Sequence, residues 1–174
     1  WEAVGYPSSN TARYERQTGD ALYRRSLYSF WKRTAPQAYM QIFDAPSREA
    51  CIVSRARTNT PLQALALLND TQCIEAARAF ATTLLDEEAV DERDRLIRGF
   101  RRVAARYPST SELAVLSTLL ETEREEFAAN KKGATHLTRV GDSTLTSDSD
   151  VAELAAWTVV CNLLFNLDEF VNKE

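Results

Sequence analysis

Apolar residues recur at helical spacing through most of residues 60–170, and several of these runs follow a polar residue suited to starting a helix. Thr60-Pro61-Leu62-Gln63 places Thr60 at an N-cap, Pro61 at the first helical position and Gln63 three residues after the cap. Ser109-Thr110-Ser111-Glu112 and Asp150-Val151-Ala152-Glu153 repeat the arrangement. In each, the cap oxygen takes an orphaned backbone N–H, and Gln63 and Glu112 can reach back to the cap's own N–H. The first helix carries Leu62, Leu65 and Leu68 and is expected to break at Asn69-Asp70. Asp70 then caps a second, with Ile74, Ala77, Phe80, Ala81 and Leu84 on one face. A third, near 92–107, buries Leu96, Ile97, Phe100 and Val103. Pro108 separates it from a fourth, with Leu113, Leu116, Leu120 and Phe127, which Gly133 terminates. The polar residues 134–149 read as a loop. The last helix, near 151–167, is apolar almost all round (Leu154, Trp157, Val160, Leu163, Leu164, Phe165), the pattern of a central core helix with Trp157 buried at its centre.

The first sixty residues are less regular. "GDALYRRSLYSFWKR" predicts a helix capped by Asp20 that buries Tyr23, Leu27, Phe30 and Trp31. Alternation from Ser26 to Lys32 also fits a strand, and helix is favoured. Pro36 and Pro46 bracket an irregular segment. The expected fold is all-α: a compact orthogonal bundle over 60–174, led by a basic irregular arm over 1–59, together one helical domain.

Composition fits that picture. With 174 residues, 44% hydrophobic and 26% charged, the chain is long enough for a real core and outside the disordered range. No apolar run approaches the roughly 20 residues of a membrane span. The net charge of −4 hides an asymmetry: residues 1–60 hold 9 Lys+Arg against 5 Asp+Glu, and residues 61–174 hold 12 against 20. The two parts attract one another. The acidic balance argues against a nucleic-acid partner for the basic, aromatic "LYRRSLYSFWKR", which reads instead as a core stripe with snorkelling basic heads. Three cysteines (Cys51, Cys73, Cys161) without Cys-x-x-Cys exclude covalent haem attachment and the usual zinc frameworks; they read as buried free thiols, with a single disulfide the alternative in an exported protein. The chain opens on Trp1 without an initiator Met, as a fragment or processed product does.

The densest polar chemistry lies in "FDAPSREACIVSRARTN". Arg48, Arg55 and Arg57, with Asn59, form a candidate clamp for a sulfate or carboxylate, because guanidinium forks suit such oxyanions. The competing reading pairs these arginines with Asp44, Glu49 and the acidic half of the chain. Asp44, Ser47, Glu49, Thr60, Gln63 and Asp70 then make a structural polar network, and this reading is favoured. Cys51-x5-Arg57-Thr58 has the spacing of a cysteine phosphatase loop. It lacks the glycine that helps such a cradle wrap phosphate, and Ala50 stands where phosphatases carry His. A sulfatase-type Cys-x-Pro-x-Arg fails at Val53. His136, the only histidine, has no His partner for a metal site. Asp142, Asp148 and Asp150 lack the EF-hand order and its terminal Glu. No catalytic or metal residue is assigned. The basic face of the third helix (Arg98, Arg101, Arg102, Arg106) is expected to meet solvent or the fourth helix's Glu121, Glu123, Glu125 and Glu126.

"LYRRSLYSFWKRTAP", "FDAPSREAC", "RTNTPLQALALLND", "EAARAFA", "ELAAWTVV" and "NLDEFVNKE" together resemble the planctomycete-specific C-terminal domain of unknown function (PSD-type), in the right order along almost the whole chain. Thr71 stands where that family usually has Pro, Ala105 where it often has Gly and Tyr107 where it often has Pro. Cys73 and Cys161 are unfamiliar there, which weakens a shared thiol role. The resemblance implies a large exported parent protein, periplasmic or in the cell envelope, often with a cytochrome c-type domain near its N-terminus. It further implies that this chain is the C-terminal portion of a larger domain, with the upstream remainder of the same polypeptide as its first partner. Haem would then belong only to a separate domain, with no cofactor in this chain. The expected function is a structural or interaction module. The alternative is part of an enzyme or binding site for anionic, sulfated polysaccharide using the loop 44–59, and a redox component is a third.

Overall fold

Among the described residues of the computed structural model (8, 17–32, 35–143 and 150–172) there are eight α-helices and no strand, so the chain is an all-α helical bundle. It divides into two units, residues 1–63 and 64–174. The α-helices are α1 (Ala38–Ile42), α2 (Pro61–Asn69), α3 (Thr71–Asp86), α4 (Glu92–Ala104), α5 (Thr110–Ala129), α6 (Lys131–Thr138), α7 (Val151–Phe165) and α8 (Asp168–Val171).

The second unit is organised around α7. Leu154, Ala155, Ala156, Trp157, Thr158, Val160, Cys161 and Leu164 are all buried, so most of this helix's circumference is enclosed, with Val159, Asn162 and Leu163 half-buried. It packs on α3, α5 and α6, with lesser contacts to α4 and α8. Ala77 and Ala81 of α3 are fully buried, and such small side chains let two helices approach closely. Gly99 serves the same end, since a Cβ there would stand 3.0 Å from Leu84 Cδ1. Leu96 and Phe100 of α4 complete the core with Leu113, Leu116, Leu120 and Phe127 of α5. Trp157 is 1% exposed, as its helix's pattern predicts, and its indole N–H donates to Glu153 at 2.8 Å. Arg124 of α5 ties Glu153 to Glu92, joining the first turns of α7 and α4. Burial raises the Glu153 carboxyl, but the Arg124 and Trp157 hydrogen bonds outweigh it and hold it below its ordinary value.

The N-caps of α3, α5 and α7 are where the sequence puts them. Asp70 accepts from the backbone N–H of Gln72 and Cys73, so the chain does break between α2 and α3. Ser109 and Glu112 form a full capping box. Asp150 caps α7 through Ala152, while Glu153 turns to Arg124 and Trp157.

Other expectations are corrected. The segment from Gly19 to Phe30 forms two short 3-10 turns, Gly19–Tyr23 and Ser26–Tyr28, rather than an α-helix. Extended backbone at Arg24 and Ser29 separates and ends them, and Thr18, not Asp20, precedes the first. An isolated helix of this length needs a buried face to offset its nucleation cost. Here Leu27 is 74% and Tyr28 71% exposed, Tyr23 and Phe30 are exposed too, and of the positions expected to be buried Trp31 alone is half-buried. The segment between Pro36 and Pro46 contains α1. On α2 the expected apolar positions Leu62, Leu65 and Leu68 are exposed, while Gln63 and Leu67 are buried.

Gly133 does not end α5. The helix stops at Ala129, and Asn130 caps α6 by accepting from the Gly133 N–H at 2.9 Å. Residues 134–138 are therefore helix, not loop, with Ala134 and Thr138 buried, and the exposed His136 sits on α6. Asp142 is exposed, and Asp148 lies outside the described residues. Cys51 is exposed, Cys73 half-buried and Cys161 buried, all three as free thiols. Burial pushes the Cys161 thiol up, away from reactivity.

The basic face of α4 finds partners other than the acids of α5's second half. Arg98 pairs with Asp94, Arg102 with Glu87, and Arg101 lies over the Tyr107 ring. Arg106 reaches Glu112 and Glu169, each at 2.7 Å, and its hydrogen bonds to Glu112 hold that carboxyl down to about 2. Arg106 is delivered there by Ala105, which ends α4 in the left-handed region at φ 57 and donates its N–H to Arg101. A residue with a Cβ is strained in that conformation by roughly 1–2 kcal/mol, whereas glycine adopts it freely. Ala105→Gly is therefore expected to stabilise the protein by about 1 kcal/mol, read as a rise of roughly 2–4 °C in melting temperature. A fall on substitution would show that Ala105 is not strained.

Candidate functional site

Residues 42–63 of the first unit hold the candidate loop, and its centre is Asp44. The backbone N–H and the hydroxyl of Thr58 both donate to Asp44 Oδ2 at 2.8 Å. Gln63, buried at 3% exposure, donates through Nε2 to the Ile42 carbonyl at 2.9 Å and to the Thr58 hydroxyl at 3.0 Å. Its amide oxygen accepts from the Thr60 N–H at 2.9 Å, and its own N–H donates to Thr60 Oγ1 at 3.2 Å. Gln63 thus completes the capping box of α2 and, with the same side chain, fastens the two ends of the loop. The hydrogen bonds from the Thr58 hydroxyl and N–H hold the Asp44 carboxyl below its usual range, aided by Gln63 and the nearby Arg55 charge.

The arginines stand outside this knot. Arg48, Arg55 and Arg57 are exposed. Arg48 lies over the Trp31 ring at 4.8 Å, and Arg55 reaches the Phe43 carbonyl at 3.5 Å. Asn59 is exposed between Thr58 and Thr60. Ser47 Oγ accepts from the Glu49 N–H at 3.3 Å, a local turn. Asp70 belongs to the start of α3 in the other unit and is not part of this knot. Asp44 and Arg48 both hold left-handed backbone, at φ 56 and φ 62, which fixes the loop's course at some cost in strain.

Sequence reasoning named Asp44, Thr60 and Gln63 but missed Thr58 as their hub. The Thr-x-Thr-Pro-x-Gln spacing was the available signal, since it puts a second hydroxyl just before the cap. The core-stripe expectation for Trp31 is not met: it meets Arg48, and its buried indole N–H has no acceptor among the described residues. The phosphatase reading gains nothing here, because the Thr58 hydroxyl serves Asp44 and Cys51 is exposed. Chemically, the arrangement offers a braced loop presenting exposed guanidinium groups.

Removing the cap and leaving the arginines should separate brace from surface. Thr60→Ala is expected to destabilise the protein by about 1 kcal/mol. Arg57→Ala, at an exposed position, should change stability by no more than about 0.5 kcal/mol. Urea denaturation of both variants checks this, and a larger loss for Arg57→Ala would place that side chain in the brace.

No curated protein and no solved structure matches this chain. A family model does match, over residues 3–120. That span includes both arms of the Asp44–Gln63 knot, while the quoted stretches in α7 and beyond it lie outside the match. The chain belongs to the PSD1 family, proteins of unknown function (DUF1553).

Proposed function

We propose that the chain is a structural or interaction module of a larger exported protein of planctomycete type, acting through contacts rather than through chemistry of its own. The observation that carries this reading is the exposed apolar surface of residues 23–30. Tyr23, Leu27, Tyr28 and Phe30 all stand exposed beside the basic Arg24 and Arg25. Exposed aromatic and aliphatic side chains clustered with arginines are the composition of a protein contact. The contact partner in this reading is the upstream remainder of the same polypeptide. Any haem belongs to a separate domain of that polypeptide, and the location is the periplasm or cell envelope.

A second reading has its own observation: Arg48, Arg55 and Arg57 are exposed on a braced loop, the presentation expected of a site for anionic, sulfated polysaccharide.

Amide exchange of the full-length protein and of this isolated chain distinguishes the two. The module reading expects residues 20–32 to be slowed in the full-length protein. Equal exchange in both forms contradicts it. Saturable binding of heparin by the isolated chain, lost in an Arg57→Ala variant of unchanged melting temperature, would favour the polysaccharide site instead.

A further inference from the structure

The braced loop of the first unit carries aliphatic side chains at its outer end. Residues 47–57 are all exposed and form neither helix nor strand. In the middle of this run Val53 is 104% and Ile52 48% exposed, next to the exposed Cys51. Arg48 stands on one limb and Arg55 and Arg57 on the other, against the single carboxylate of Glu49. Two adjacent branched aliphatic side chains held out in water are unfavourable until a partner covers them.

The base of the loop is closed where Thr58 donates its backbone N–H and hydroxyl to Asp44. Arg55 turns back toward that base, reaching the Phe43 carbonyl at 3.5 Å, while Val53 is wholly open to water. The chain also limits how far the charges lie from the apolar pair. Arg55 is two residues from Val53, at most about 7 Å, and Arg57 is four residues away, at most about 14 Å. An apolar group a few ångströms beyond a row of cations matches the layering of a bilayer surface, where the acyl boundary lies about 5–10 Å inside the headgroups.

We propose that residues 47–57 are a membrane-surface loop: Ile52 and Val53 enter the headgroup region of an anionic bilayer, and Arg48, Arg55 and Arg57 pair with lipid phosphates. The charge fixes the kind of lipid, since three arginines against one carboxylate favour an anionic surface. The tip favours lipid over the other partners. Protein hot spots centre on Trp, Tyr and Arg seated in pockets, and this tip is convex and has no aromatic residue. A glycan clamp needs the guanidinium groups but has no use for Ile52 and Val53. The brace at Asp44 and Thr58 leaves less of the loop to be ordered on contact. Each contact is weak alone, and together they give reversible adsorption that salt diminishes.

Sedimentation of the chain with vesicles tests this, comparing an equal mixture of phosphatidylglycerol and phosphatidylcholine with phosphatidylcholine alone. The chain should bind the mixed vesicles and not the neutral ones. Ile52→Ser with Val53→Ser should weaken that binding at least about tenfold, and Arg57→Ala about fivefold. All three positions are exposed, so the variants should keep the parent's melting temperature. A polarity-sensitive fluorophore on Cys51, the exposed thiol, should shift to the blue on the mixed vesicles. Heparin binding separates lipid from glycan, because the serine pair should leave it as it is in the parent. No sedimentation with the mixed vesicles overturns the proposal. So does sedimentation that the serine pair leaves intact, which is adsorption by charge alone. Heparin binding without vesicle binding would return the loop to the polysaccharide reading.

Discussion

The burial of α7 over most of its circumference is the constraint on which the second unit depends. A helix with Leu154, Trp157, Val160, Cys161 and Leu164 spread around its circumference has no stable place at a surface, so other helices must enclose it. The enclosing helices meet that demand in different ways. α3 does so with alanines that allow close approach, α5 with the leucine stripe Leu113, Leu116 and Leu120, and α4 with Phe100 and the Gly99 contact to Leu84. Polar groups on α7 are used at its margins. Glu153 joins Arg124 and the Trp157 indole in the first turn, and Asn162 and Asn166, one turn apart, donate to the Leu68 and Ala64 carbonyls of α2. The Leu68 carbonyl lies in the last turn of α2, where the helix's own ladder offers no partner.

The first unit rests on another kind of interaction. Its described residues include no buried hydrophobic side chain, and its most buried one is the amide of Gln63. Hydrogen bonds through Asp44, Thr58, Thr60 and Gln63 define the loop in place of an apolar core. Such a network specifies geometry well but adds little net stability per bond, on the order of 1 kcal/mol. The exposed Leu27, Tyr28 and Phe30 accord with that difference. Among its described residues the first unit keeps apolar surface available for contact, which is the basis of the module reading.

The helices of the second unit were legible because two signals agree there, apolar periodicity and caps. Asp70, Ser109 and Asp150 mark true helix starts, and Trp157 lies where its pattern puts it. Failures occurred where one signal acted alone. Gly133 looked like a terminator, but Asn130 offers a cap three residues earlier, and a glycine is tolerated in the first turn that follows. Leu62, Leu65 and Leu68 have helical spacing, yet the buried face of α2 is set by Gln63 and Leu67. Gln63 is drawn into the loop knot of the first unit, and Leu67 is buried within the second, through contacts that helical spacing alone does not show. Tyr23, Leu27 and Phe30 could make a stripe, but a stripe forms a helix only if something buries it. Around the candidate loop, charge counts suggested arginine pairs with Asp44. Hydroxyl, backbone and amide donors from Thr58 and Gln63 hold that carboxylate first, and the nearby Arg55 charge adds to them.

The enclosure of α7 is tested most directly at Trp157 by equilibrium urea unfolding of Trp157→Ala and Trp157→Phe. If the bundle depends on filling the space around α7, the alanine variant should lose roughly 3–5 kcal/mol, enough to unfold much of the population, while phenylalanine recovers a large part of that loss. Stability within about 0.5 kcal/mol of the parent in the alanine variant would contradict the account, because a position that tolerates so large a cavity cannot be the centre of the core.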